Sequence, residues 1–134
     1  MWLRQTLKHY NKPVFIAAHH PLKEVRAEEL LFEAPTCCGY IHGHDHRWRP
    51  EWVNRNWNSR QMLRTLCLPS TGFWGDIGYM RLQMSAEFAT AYLAYRDFFF
   101  LNPLAPDEKK PLQWELMKED YDGQKCRFAY ERVK

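Results

Sequence analysis

A chain of 134 residues with 46% hydrophobic and 26% charged residues has the balance of one folded domain or part of one. A formal net charge of +3 is too mild to require a nucleic-acid partner, and no apolar run approaches the ~20 residues of a membrane span. Aromatics reach 16% with six Trp, side chains that need a core or a partner surface to bury against.

Leu3, Leu7 and Tyr10 recur at helical spacing, which predicts a helix over 2–10. No Ser, Thr, Asp or Asn precedes it as a cap, which by itself fits either a truncated helix or a frayed terminus. The same stretch has no signal-type apolar core, and the compartment stays open. "PVFIAA" (13–18) is a continuous apolar run of the kind found in strands covered on both faces, and Pro21 ends it just beyond His19-His20. Residues 23–33 predict a short helix closed by Pro35, and "CCGYI" (37–41) a second strand that runs into Gly43. The order helix–strand–helix–strand predicts an α/β fold.

The remainder changes character. Residues 62–69, 77–84 and 88–100 are strand candidates, the last two joined by the tight turn "SAE", which predicts an antiparallel hairpin. A Pro-rich polar linker (102–111) precedes an expected helix over 112–121, ended by Gly123, and an expected edge strand over 125–133. Cys37, Cys38, Cys67 and Cys126 form no C-x-x-C pair; they are expected to be free and structural.

In α/β sheets, ligands bind outside the carboxyl ends of the strands. His19 and His20 follow one strand, and His42, His44 and His46 follow the other, so both clusters are expected on one rim. Side chains at i and i+2 of an extended backbone point the same way, so His44 and His46 are expected to share a pocket, with His19 as a third ring. Imidazole suits zinc, iron, manganese or nickel. His20 is offset by one from His19 and is expected to meet substrate or solvent instead; His42, before the glycine, is expected to be structural. "HGHDH" is one residue short of the H-x-H-x-D-H pattern of metallo-β-lactamase-type hydrolases.

"PVFIAAHHPL" followed some twenty residues later by "YIHGHDH" resembles the last two motifs of the calcineurin-like metallophosphoesterases, a strand ending in His-x-Pro and a strand ending in Gly-His-x-His. The resemblance covers roughly residues 2–100. It implies the C-terminal half of a β-sandwich flanked by helices and ending in antiparallel strands, with 1–101 part of the phosphoesterase domain and 102–134 a linker, short helix and edge strand. The implied activity is metal-dependent hydrolysis of phosphate mono- or diesters at a two-metal centre of Mn, Fe, Zn or similar ions. His19 and His44 would ligate one ion and His46 the other. The family's earlier motifs, Asp-x-His, Gly-Asp and Gly-Asn-His-Asp/Glu, are not in the eighteen residues before His19. The bridging Asp is therefore expected in a missing N-terminal half, with at most one ion held here and no catalytic residue assignable.

Residues 1–67 hold ten Lys/Arg against six Asp/Glu, an excess that suits an anionic substrate. Residues 47–64 alone carry five Arg and three Trp. Arg47 and Arg49, beside the histidine loop, are with His20 the expected phosphoester contacts; the segment is otherwise a surface excursion, a flap or, last, a nucleic-acid face. "STGFWGD" (70–76) lacks P-loop spacing and is expected to be a structural loop.

Overall fold

The computed structural model describes residues 2–34, 36–55, 62–72, 74–85, 88–97, 112–116 and 126–129. Helix α1 (Trp2–His9) turns Leu3 and Leu7 inward and ends on Lys8 and His9, cations that suit a helix carboxyl end. Strand β1 (Val14–Ala18) leads into α2 (Leu22–Val25) and α3 (Glu28–Phe32). The single helix expected over 23–33 is thus two short ones. Arg26 adopts φ 52° as the carboxyl cap of α2 and breaks the continuity. Strands β2 (Cys37–His42), β3 (Arg49–Asn54), β4 (Met62–Cys67), β5 (Ile77–Met84), β6 (Phe88–Asp97), β7 (Leu112–Leu116) and β8 (Cys126–Ala129) follow.

Two four-stranded sheets result, ordered β1-β2-β4-β3 and β5-β6-β7-β8. In the first, β1, β2 and β4 run parallel and β3 pairs antiparallel with β4; the second is wholly antiparallel. Among the described residues the fold is mixed α/β with few, short helices and no closed barrel. Within the Arg/Trp segment, Arg49–Asn54 is an edge strand paired antiparallel with β4, and Pro50 is tolerated because an edge leaves one side of its backbone unpaired. Residues 56–61 of that segment lie outside the described residues.

The helix expected over 112–121 is corrected. Leu112–Leu116 is a strand paired with β6 and β8. "LQWEL" satisfies both periods, with Leu112 and Leu116 four apart and Leu112, Trp114 and Leu116 alternating; in five residues the pairing partner decides. The linker over 102–111 lies outside the described residues.

Each face of the first sheet is covered. Toward the helices, Leu7, Leu22, Leu31, Ala34, Tyr40 and Leu63 form one core; toward the second sheet, Cys38, Trp48, Leu66, Ala89 and Ala91 form another. The layers are therefore helices, sheet, sheet. A local irregularity matches Val14 to Cys37 but Phe15 to Gly39. This lets Cys38 join the inter-sheet core while Tyr40 still faces the helices, although both are even-numbered. Gly39 suits the spot, since a Cβ would sit a tight 3.1 Å from the Phe15 ring and 3.2 Å from the Arg64 carbonyl oxygen. Cys37, Cys38 and Cys67 form no disulfide among the described residues. Burial pushes Cys37 up to about 12 and raises Cys67, so neither is a reactive thiolate; Cys126 lies in a strand whose side chains are outside the description.

Candidate metal centre

Because β1, β2 and β4 are parallel, their carboxyl ends meet at one rim, and backbone hydrogen bonds tie the emerging loops together. Gly43 N–H donates to the His19 carbonyl (3.1 Å), Leu68 N–H to His42 (2.7 Å) and Asp45 N–H to Gly43 (2.8 Å). Tyr40 O–H donates to the His20 carbonyl at 2.7 Å from the buried end of its ring. Burial raises that phenol's pKa, so it remains a donor through the neutral range. Tyr40→Phe should lower unfolding stability by about 1 kcal/mol in a urea titration, the usual worth of one such bond.

His44 (φ 66°) and His46 (φ 50°) both lie in the left-handed region, which is uncommon for residues other than glycine. The alternation expected of an extended backbone therefore does not operate, and the two rings part. His44 Nδ1 lies 3.3 Å from His19 Nε2, and the His44 and His20 ring centroids are 4.6 Å apart. The His46 ring instead packs against Trp74 at 5.2 Å. Its Nδ1 is buried with no hydrogen-bond partner among the described residues. Two left-handed residues together are unfavourable by a few kcal/mol, so the surroundings must enforce them. Gly75, at φ 80°, lies so close to the His46 carbonyl that no Cβ fits. Asp76 N–H donates to the His46 carbonyl at 2.8 Å, and the fully buried Asp76 carboxylate accepts from Trp48 N–H at 2.8 Å. The loop "STGFWGD" is structural in this sense: it clamps residues 46–48.

His19, His20 and His44 form the only group among the described residues that could hold a metal ion, with one donor nitrogen from each within 4.8 Å of the others. Metal–nitrogen bonds of about 2.0–2.1 Å put adjacent tetrahedral ligands roughly 3.4 Å apart, and the His19–His44 separation of 3.3 Å already has that value. A donor nitrogen of the exposed His20 ring lies within 4.8 Å of those of the other two. Its Nδ1 lies 3.2 Å from Glu24 Oε2. A carboxylate on one imidazole nitrogen fixes the tautomer and frees the other nitrogen to ligate. Glu24→Gln should weaken Zn2+ binding by about 10-fold without altering the fold, read by calorimetric titration.

The structure thus brings His19, His20 and His44 together and leaves His46 apart. Parity in a strand separated His20 from His19 on paper, but β1 ends at Ala18 and both residues lie in a bend. His42 is buried beneath the rim, 5.9 Å from the Tyr40 ring, with Nδ1 3.1 Å from the Gly43 carbonyl oxygen. Burial depresses its pKa, which keeps it neutral at pH 7. Arg49 is engaged by Asp45 (3.4 Å) and Glu51 (3.1 Å); Arg47 is partly buried beside the loop. Glu24, Trp74 and Asp76 had no sequence signal as site-building residues, since each acts across a turn or a loop contact that no local pattern encodes. No family model, curated protein or solved structure matches the chain.

Proposed function

We propose that this chain supplies the histidine part of a dinuclear centre for hydrolysis of phosphate mono- or diesters, in a β-sandwich of the calcineurin-like metallophosphoesterase type. The observation that carries this reading is the convergence of His19 and His44 at adjacent parallel strand ends, 3.3 Å apart. Those two residues belong to the His-x-Pro and Gly-His-x-His strings. A divalent ion held there would supply Lewis-acid stabilisation of charge on a phosphoryl oxygen. The chain's own part is to hold that ion through His19, His44 and His20, to orient His20 through Glu24, and to present Arg47 beside the substrate's anionic group.

One ion per chain is the expected load. Two dications about 3.5–4 Å apart repel by roughly 18 kcal/mol at an effective dielectric of 20, and neutral imidazoles do nothing to offset that. The candidate group contains no carboxylate ligand; a bridging one must come from outside this set.

The test is metal stoichiometry combined with turnover of bis-p-nitrophenyl phosphate and p-nitrophenyl phosphate. The purified chain should bind about one Mn2+ or Zn2+ and turn over neither ester. Turnover should appear when a polypeptide bearing Asp-x-His, Gly-Asp and Gly-Asn-His strings is co-folded with it. Two tight ions with turnover by the chain alone would sink the divided-site reading. One ion with no turnover in any combination would favour a second reading, a non-catalytic metal-binding module, which the exposure of all three rings makes reasonable.

A further inference from the structure

The second sheet turns a different surface to solvent. Met80, Leu82, Ala89, Ala91 and Leu93 pack in the core between the two sheets. Alternation along the strands sends Tyr79, Arg81 and Tyr92 the other way, with Arg81 paired to Tyr92 and Tyr79 to Ala94. The solvated face of an antiparallel sheet is ordinarily polar. Here it bares two aromatic rings, Tyr79 at 62% and Tyr92 at 37% exposed. In this register they are diagonal neighbours, about 7–8 Å apart. The Arg81 guanidinium lies over the Tyr92 ring, 4.7 Å from its centre. A break in register adds a recess beside them. Between the pairs Gly78–Tyr95 and Ile77–Asp97, β6 has one residue more than β5, and that residue is Arg96. A bulge of this kind re-aims a side chain. Arg96 and Tyr79, with Thr71, Gly78 and Ala94, line an open cavity of about 290 Å³.

The charge on this face has one sign. Arg81 and Arg96 make no ion pair among the described residues. The two strands hold one acid between them, Asp97, the last residue of β6. Two cations and two exposed rings on one sheet face are complementary to a polyanion whose own flat rings are free to stack. A duplex keeps its bases enclosed, and an acidic peptide brings charge without rings. We propose that this face binds single-stranded DNA, one base entering the cavity against Tyr79, the next lying on the Tyr92 ring and its stacked Arg81, and the phosphates meeting Arg96 and Arg81. Neither kind of contact calls for a 2′-hydroxyl, so DNA meets it in full. The net charge of +3 is modest, and the expected Kd is about 10–100 μM. None of these residues belongs to the histidine group, so the inference does not rest on the phosphoesterase reading.

The experiment is fluorescence anisotropy of a labelled oligothymidylate about ten nucleotides long, titrated with the full chain in EDTA, which keeps the histidine rim free of metal. Binding should saturate, and log K should fall with log salt at a slope of about −1.4, from two phosphates at about −0.7 each. Tyr79→Ala should weaken binding roughly tenfold, while Tyr79→Phe should bind like the unsubstituted chain. Arg96→Gln should weaken binding and make the slope shallower by about 0.7. Both side chains are exposed, so thermal melting should find every variant folded. A duplex of the same length and polyglutamate should each compete at least roughly tenfold less well than unlabelled oligothymidylate. Binding that does not saturate, that survives Tyr79→Ala, or that polyglutamate displaces as readily as oligothymidylate would overturn the assignment. Tighter binding of oligouridylate would overturn the choice of DNA. A dimer in sedimentation that Tyr79→Ala abolishes would give the face to a second copy of the chain instead.

Discussion

Replacing His44 with Ala should weaken Zn2+ binding by at least about 100-fold, more than loss of a supporting carboxylate does, and His19→Ala should do the same. The reason is geometric. These two rings present the nitrogen pair at tetrahedral spacing, and a third, solvent-exposed imidazole alone is a poor site. His46→Ala should leave the first ion's affinity almost unchanged, because that ring packs on Trp74 rather than on the group. The measurement is competition against a chromogenic chelator at pH 7.5. His44→Asn controls for the backbone, since Asn tolerates the left-handed region better than Ala; it should match the parent in thermal stability while losing metal affinity. If His46→Ala loses as much as His44→Ala, the ion sits between His44 and His46 and the His20 contribution is wrong.

The second large effect is expected at Asp76. Asp76→Ala should lower unfolding stability by about 3 kcal/mol and move the urea midpoint down by roughly 1–2 M. Asp76 is wholly buried, and its carboxylate is the acceptor for the buried N–H of Trp48. Deleting it strands that donor and removes the anchor of the loop carrying the left-handed His44 and His46. Zn2+ affinity should therefore fall with stability, although no atom of Asp76 belongs to the histidine group. Asp76→Asn keeps one carbonyl acceptor and should lose about half as much. A chain whose stability is unmoved by Asp76→Ala would mean that Gly75 and the Trp48 packing hold the loop unaided.

The two effects differ in how visible they were. The rim shared by His19 and His44 was legible because both follow apolar runs and parallel strands place such ends together, while their pairing on one ion was implied only by the resemblance of the two histidine strings to a known family. Asp76 was not legible. It lies thirty residues from His46, in a loop with no ligand-like spacing, and acts through two hydrogen bonds that exist only when β4 and β5 bring the segments together.

The α/β order of the first half, the antiparallel hairpin of β5 and β6, the bounds of β5 and the rim on which the histidines stand were all legible in the amino-acid order. These rest on local hydrophobic period and chain order, which a strand or helix carries within its own residues. Three further matters depend on long-range contacts: the break of the second helix at Arg26, the strand at 112–116, and which rings meet. Each turns on a comparison between near-equal local options, settled by a distant partner. For Leu112–Leu116 it is the open edge of β6. For His46 it is the close approach of Gly75 and the bond from Asp76, which force a left-handed backbone and send the ring toward Trp74.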